Sequence, residues 1–222
     1  MVRSSEGWAH TFRGKGALWM HNGNPNQPHP ILSSGSHSDG FFNSRLIIDD
    51  DVELRSAAAD LVELYIERGG YSSRVGGIVG PRTGATRLTE FICDEFWSRF
   101  KRRPVWASPA SQGEGAEKRM VFSTTELGLV ADKALLPCDD AITTGRSVLL
   151  AAEAAVRAGA KVLPFILALV NRSGQGMLDN KKLVALVDRP MRTWPDECPL
   201  CMVGSRAIAQ PEQHWDLFTA QN

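Results

Sequence analysis

The chain has 222 residues, 25 basic and 25 acidic, for a formal net charge of zero. That balance speaks against a nucleic-acid binder, which usually carries a basic excess, but leaves room for a small anionic ligand in a locally positive site. No run of about 18 apolar residues exists to cross a membrane, and "MVRSSEGWAHTFRGKG" lacks the apolar core of a signal peptide. The expected compartment is the cytoplasm. Four cysteines (Cys93, Cys138, Cys198, Cys201) in a chain this long do not look like a disulfide framework.

In chain order, the first 44 residues read as irregular, dense in Gly, Asn, Pro, His and Ser. From Asp51, "DVELRSAAADLVELYIERGG" has helical spacing, with Leu54, Ala57, Ala58, Leu61, Leu64 and Tyr65 on one face and Gly69-Gly70 to end it. "RVGGIVG" (Arg74 to Gly80) reads as a short buried strand. A second helix follows in "ATRLTEFICDEFWSRF", with Leu88, Phe91, Ile92 and Phe96 on one side. "PVWAS" is predicted as a strand and "PASQGEGAEKR" as a flexible loop. "KALLPC" is the next buried strand, "RSVLLAAEAAVRAGA" a helix closing near Gly159, and "KVLPFILALV" and "KLVALVD" the last strands. Strands alternating with helices predict an α/β fold, a mostly parallel twisted sheet covered on both faces. The expected division is a segment over 1–45, a core over 46–190 and a tail over 191–222.

The chemistry concentrates in "LLPCDDAITTGRSVLL" (Leu135 to Leu150). Asp139 and Asp140 fall at the carboxyl end of a strand, where open parallel sheets bind ligands. Thr143, Thr144, Gly145, Arg146 and Ser147 then lead into a helix N-terminus, whose free N–H groups and macrodipole favour an anion. The turn suits a phosphate, and the carboxylates suit sugar hydroxyls; a phosphorylated ribose meets both demands. Acids and hydroxyls after a strand can also be plain helix caps. Other phosphate motifs fail: there is no G-x-x-x-x-G-K-[ST], and no G-x-G-x-x-G follows a strand.

"CDDAITTGRS" resembles the signature of type I phosphoribosyltransferases, which bind 5-phosphoribosyl-1-pyrophosphate. Within that family the chain is most similar to orotate phosphoribosyltransferases. "ILSSGSHSDGFFNSR" (Ile31 to Arg45) resembles their N-terminal segment, "GGIVGPRTGATRL" (Gly76 to Leu88) their pyrophosphate strand and loop, "ALVNRSG" (Ala168 to Gly174) the strand whose arginine helps hold the base, and "ECPLCMVG" a tail of some bacterial members. The resemblance implies transfer of a flat, pyrimidine-like base, orotate first among them, onto the ribose with release of pyrophosphate. It places Asp139 and Asp140 on the ribose hydroxyls and Ala141, Thr143, Thr144, Gly145, Arg146 and Ser147 around the 5′-phosphate. Arg82, Thr83 and Gly84 would meet the pyrophosphate, and Phe41, Phe42 and Arg172 the base, with residues 1–45 forming a hood. It also implies Mg²⁺ held mainly through the substrate, and a homodimer. His37 falls where the family often has Lys or His; as a lone His in a loop it reads as exposed.

One feature breaks the pattern. The family's mobile loop reads R-K-x-x-K-x-H-G-E-G, whereas here "WASPASQGEG" puts Trp106, Ala107, Ala110 and Gln112 at the cationic positions. Lys118 or Arg119 could supply the missing charge to the leaving group, with Lys101, Arg102 and Arg103 a weaker source. The acceptor base could instead differ, or the chain could be a non-catalytic regulator that binds phosphoribosyl pyrophosphate or a nucleotide. Cys198 and Cys201 have zinc-ligand spacing with His214 downstream, but a tetrahedral site needs four ligands. With only one such pair, packing or an inert thiol pair is expected and no metal site.

Overall fold

A computed structural model of the chain describes residues 2–219. Far from irregular, the N-terminal segment opens with α1 (Ser5–Gly14), capped by Ser4, whose hydroxyl accepts from Gly7 N–H and which buries Trp8, Ala9 and Phe12. Four short strands follow: β1 (Leu18–Met20), β2 (His29–Ile31), β3 (His37–Ser38) and β4 (Gly40–Phe42). Strands of two or three residues are too short to show a period of two, which is why the sequence reads as loop there.

Helix α2 (Asp51–Glu67) is capped by Asp50, whose carboxylate accepts from Val52 and Glu53 N–H, and it buries the expected face with Val62 added and Leu64 half-buried. After β5 (Gly77–Val79) come α3 (Thr86–Phe100) and β6 (Val105–Ala107). The predicted flexible loop is a β-hairpin, β7 (Ala110–Gln112) paired antiparallel with β8 (Arg119–Val121). The chain continues through α4 (Thr124–Val130), β9 (Ala134–Ile142), α5 (Arg146–Arg157), β10 (Lys161–Val162) and β11 (Phe165–Asn171). Pro164, which has no N–H to give, lies in the interruption between the last two strands. The final elements are β12 (Met177–Leu178), β13 (Lys181–Asp188), β14 (Thr193–Trp194), α6 (Pro199–Met202) and β15 (Ala207–Ala209).

The main sheet runs β12-β13-β11-β9-β5-β6, with β10 on the early part of β9. Every pairing in it is parallel except β12 with β13. From β5 the chain winds outward to β6, and from β9 it winds the other way to β11 and β13. The β5/β9 boundary is therefore the switch point at which such sheets open a crevice. A second sheet, β14-β3-β2-β15, joins residues 29–38 of the N-terminal segment to residues 193–209 of the tail. Among the described residues no helix is long and apolar enough to cross a membrane.

Candidate active site

β9 outlasts its neighbour. β5 pairs with it only up to Pro137, opposite Val79, while β11 pairs with it as far as Ile142. Asp139 and Asp140 thus lie within a strand, on the stretch where its β5 side is free. A cleft of about 540 Å³ opens there, lined by Asp139, Asp140, Ala141 and Thr143 to Ser147. Gly145 caps α5 with φ +74°, and a β-carbon there would also meet Leu178 Cδ1 at 2.2 Å, so the turn requires glycine.

The two acids differ. Asp139 is 5% exposed, and its Oδ1 accepts from Asp140 N–H at 3.0 Å. Burial, reinforced by the adjacent Asp140 charge, pushes its carboxyl well above the usual carboxylate range. Asp140 is half-buried; it accepts from Ala141 N–H at 2.8 Å and from the Ser44 hydroxyl. Gly84 faces it closely enough that a β-carbon would stand 3.4 Å from the carboxylate.

Arg82 lines the cleft but is not a loose surface cation. Its Nε donates to Ser108 O at 3.0 Å and its Nη2 to Glu126 at 3.3 Å. Glu126 also accepts from Ser108 N–H at 2.9 Å and forms a capping box with Ser123. Burial works against its ionised form, but the bonds from Ser123 and Ser108 and the Arg82 charge together hold the carboxyl below its usual range. Thr83 is exposed and does not line the cleft. Across the cleft, Lys118 is half-buried and lines it, and no described carboxylate lies within ion-pair reach of it. Arg119, one residue on, turns to Gln112 at 3.0 Å and does not line it. Arg146 donates to Gly115 O, joining the turn from Thr143 to Ser147 to the hairpin. Of the 101–103 cluster, Arg102 bonds Ser73 O and Arg103 bonds Asp94, and none of the three reaches the cleft.

At the hood end, Phe41, Phe42 and Arg172 all line the cleft. Phe42 packs on Phe12 in the core, while Phe41 packs on Trp215 and lies 5.9 Å below the Arg172 guanidinium. Arg172 is 5% exposed; its Nη2 donates to Ser38 Oγ and Gly40 O, and its buried Nε has no partner among the described residues. Burial lowers its pKa to about 10, so it stays cationic at neutral pH. The sequence did not point to Ser44, Ser111 or the C-terminal residues Ala209 to Glu212, which complete the lining. Ser44 and Ser111 lie inside the stretches 31–45 and 106–115 without answering to a motif position there, and tertiary pairing brings them and the C-terminal residues in.

Two expectations are corrected nearby. His37 is not a free loop residue: it sits in β3, half-buried, 2.9 Å from His29 Nε2. His29 and His37, not His214, join Cys198 and Cys201, all four ligand atoms lying within 4.8 Å of one another. The count of a single ligand pair fails because the other two come from the far end of the chain.

No protein-family model matches the chain. An orotate phosphoribosyltransferase of Campylobacter concisus is 30% identical over 196 residues, covering 81% of this chain and 89% of its own length. The chain belongs to the orotate phosphoribosyltransferase family. A family member of a Nitratiruptor species is 29% identical over 201 residues with the same shares covered. In fold, the crystal structure of orotate phosphoribosyltransferase from Aeropyrum pernix superposes with a TM-score of 0.59 at 21% identity, covering 81% of this chain and 92% of that one. The sheet and its flanking helices are those of a type I phosphoribosyltransferase. Against the family's loop pattern, Ala107 is buried in β6 and Trp106 packs against the core. A long cationic side chain at Ala107 would have to be buried.

Proposed function

We propose that the chain transfers a flat acidic base, orotate first among the candidates, onto the anomeric carbon of phosphoribosyl pyrophosphate, releasing pyrophosphate. The observation that carries the choice of base is Arg172: a buried cation with an unpartnered donor, beside an aromatic ring, calls for an anionic acceptor on a planar ligand. A neutral base could meet that donor with a carbonyl oxygen but would bring no counter-charge to the buried guanidinium.

In this reading Asp139 and Asp140 accept hydrogen bonds from the ribose 2′ and 3′ hydroxyls. The turn Thr143 to Ser147 holds the 5′-phosphate largely through its N–H groups, with Ala141 beside it and the Thr and Ser hydroxyls as further donors. Gly84 and Arg82 border the pyrophosphate, with Thr83 turned away from the cleft, and Glu126 fixes the Arg82 fork in advance. As the C–O bond to pyrophosphate breaks and the C–N bond to the base forms, the sugar becomes oxocarbenium-like and negative charge gathers on the leaving group. Lys118 supplies positive charge there in place of the family's loop cations. Mg²⁺, an oxygen-seeking ion, adds charge neutralisation on the pyrophosphate when bound. The cleft's Asp139 and Asp140 suit its chemistry, but no cage of three or more acids stands among the described residues, so the substrate's own oxygens hold most of it. The active form is a homodimer in the cytoplasm; Lys118 lines the cleft of its own chain.

The test is a panel of orotate, other pyrimidines and purines with phosphoribosyl pyrophosphate and Mg²⁺, read as pyrophosphate release. Turnover with orotate above the other bases is expected. Turnover with a neutral base alone would overturn the role of Arg172. Tight binding of phosphoribosyl pyrophosphate with no turnover of any base would make the chain a regulator.

A further inference from the structure

We propose that His29, His37, Cys198 and Cys201 form a structural zinc site that pins the N-terminal hood to the C-terminal tail. Four ligands around tetrahedral zinc, with Zn–N of about 2.0–2.1 Å and Zn–S of about 2.3 Å, stand about 3.3–3.8 Å from one another. Here Cys198 Sγ and Cys201 Sγ each lie 3.5 Å from His29 Nε2, and Cys201 Sγ lies 3.4 Å from His37 Nδ1. The two ring nitrogens are 2.9 Å apart, so a small outward shift completes the tetrahedron.

The surroundings fit a ligand set better than a packed polar cluster. Ser205 Oγ gives its hydrogen to Gln27 O at 2.7 Å and stands 2.8 Å from His29 Nδ1. With its own hydrogen committed, Ser205 accepts from Nδ1–H. That fixes the tautomer and leaves the Nε2 lone pair facing the two sulfurs and His37, the arrangement by which a second hydrogen bond orients a metal-bound imidazole. Two thiolates neutralise a divalent ion, and a mixed nitrogen–sulfur tetrahedron selects zinc among common metals. The contrast with the other cysteines is one of surroundings: Cys93 and Cys138 are fully buried on core elements, and among the described residues neither belongs to a cluster of metal-ligating side chains.

The fold also has a use for such a staple. β2, β3, β14 and β15 have two or three residues each, and the apolar cluster beside them is small, with Trp19, Ile208 and Phe218. Sheets of that size are marginal alone, and small units gain folding free energy from a structural metal. His29 and His37 come from β2 and β3, and the cysteines from the link between β14 and β15, so one ion ties all four strands. β2 runs into Ile31 to Ser34 and β15 into Ala209 to Glu212, both in the cleft lining. Metal loading therefore sets the hood wall.

The test uses the full-length wild type, purified under reductant without chelator. Elemental analysis should find stoichiometric zinc, and the protein stripped with a chelator should take up Co²⁺ with the intense ligand-field and sulfur-to-cobalt bands of a tetrahedral thiolate site. Cys198→Ser with Cys201→Ser should abolish both signals, and His37→Gln should weaken the cobalt spectrum. Wild type that carries no zinc and binds neither Zn²⁺ nor Co²⁺ while remaining folded would overturn the proposal. So would a Cys198–Cys201 disulfide in freshly prepared reduced protein, or metal that persists in the double variant. A further consequence, a raised KM for the base after chelation, rests on the proposed reaction; metal content does not, so the two can fail separately.

Discussion

The floor and the hood of the cleft are built in opposite ways. The floor is contiguous: Asp139 to Ser147 comprises the end of β9, one turn and the first residues of α5, and its geometry follows from local rules of strand, glycine turn and helix N-terminus. The hood is assembled: Phe41 reaches the same cleft as Arg172 and Glu212, which follow it by more than a hundred residues and come from two separate segments. A contiguous site tolerates drift elsewhere in the sequence, whereas an assembled one depends on whatever holds the distant segments in register. The floor accordingly carries the family signature, the hood segment resembles its family counterpart more loosely, and the hairpin carries the departure at the cationic positions.

The sharpest way to break the comparison is at the floor. Asp139→Asn together with Asp140→Asn should weaken binding of phosphoribosyl pyrophosphate by about 10²–10⁴-fold, two hydrogen bonds to charged acceptors at about 1.5–3 kcal/mol each, measured by calorimetry. The fold should survive, and at neutral pH Asp139→Asn alone should raise the melting temperature. The sign follows from linkage: the folded-state pKa of Asp139 is raised above its usual 3.8, so its favourable contribution is present below that pH and is lost as pH rises through the folded value. The stabilisation by Asn should therefore vanish on acidification below about pH 4. Undiminished binding in the double variant would remove the floor from the site.

Next in size is the hairpin. Lys118→Ala should lower kcat by about 10²–10³, the cost of losing one charged contact made in the transition state, with binding of phosphoribosyl pyrophosphate nearly unchanged. Arg119→Ala should stay near wild type, since its guanidinium is turned to Gln112. Silence of both substitutions in an active enzyme would hand the charge to Arg82 or the metal.

The hood effect should be smaller and confined to the base. Arg172→Gln should raise KM for orotate by about 10–10²-fold, the value of one hydrogen bond to a charged group, and leave the affinity for phosphoribosyl pyrophosphate alone. A fall in both affinities would mean that Arg172 supports the whole cleft through Ser38 and Gly40 and does not read the base.

Smallest is the support beneath Arg82. Glu126→Gln turns an amide toward donors that now meet a carboxylate, and should cost about 1–3 kcal/mol of stability in denaturant titration. Because the Glu126 carboxyl is held below its usual 4.5, its contribution is present above that pH and is lost as pH falls through the folded value. Wild type and variant should therefore converge in acid. A gap that persists there would assign the loss to packing.

Much of the core was legible because its elements are long and periodic. Seventeen-residue α2 and fifteen-residue α3 expose their buried faces in the spacing of Leu54, Leu61, Leu88 and Ile92. The Asp139–Asp140 pair and the Gly145 turn were readable for a different reason: their job is local, and each residue type answers to a neighbour within a few positions. The hood's two- and three-residue strands carry no period, and the hairpin's Ala110 to Gln112 looks like any small-residue loop until β8 pairs with it. Ser44 on Asp140, Glu126 under Arg82, and His29 and His37 beside the CxxC leave no trace in a linear reading, because each partner lies 44 to 172 residues away. Amino-acid order fixed the strand end, the glycine turn and the helix start that make the floor, since adjacent residues must share them. Only the closed tertiary structure decided which distant side chains face that floor, because sheet pairing and core burial choose partners by shape and polarity and not by sequence distance.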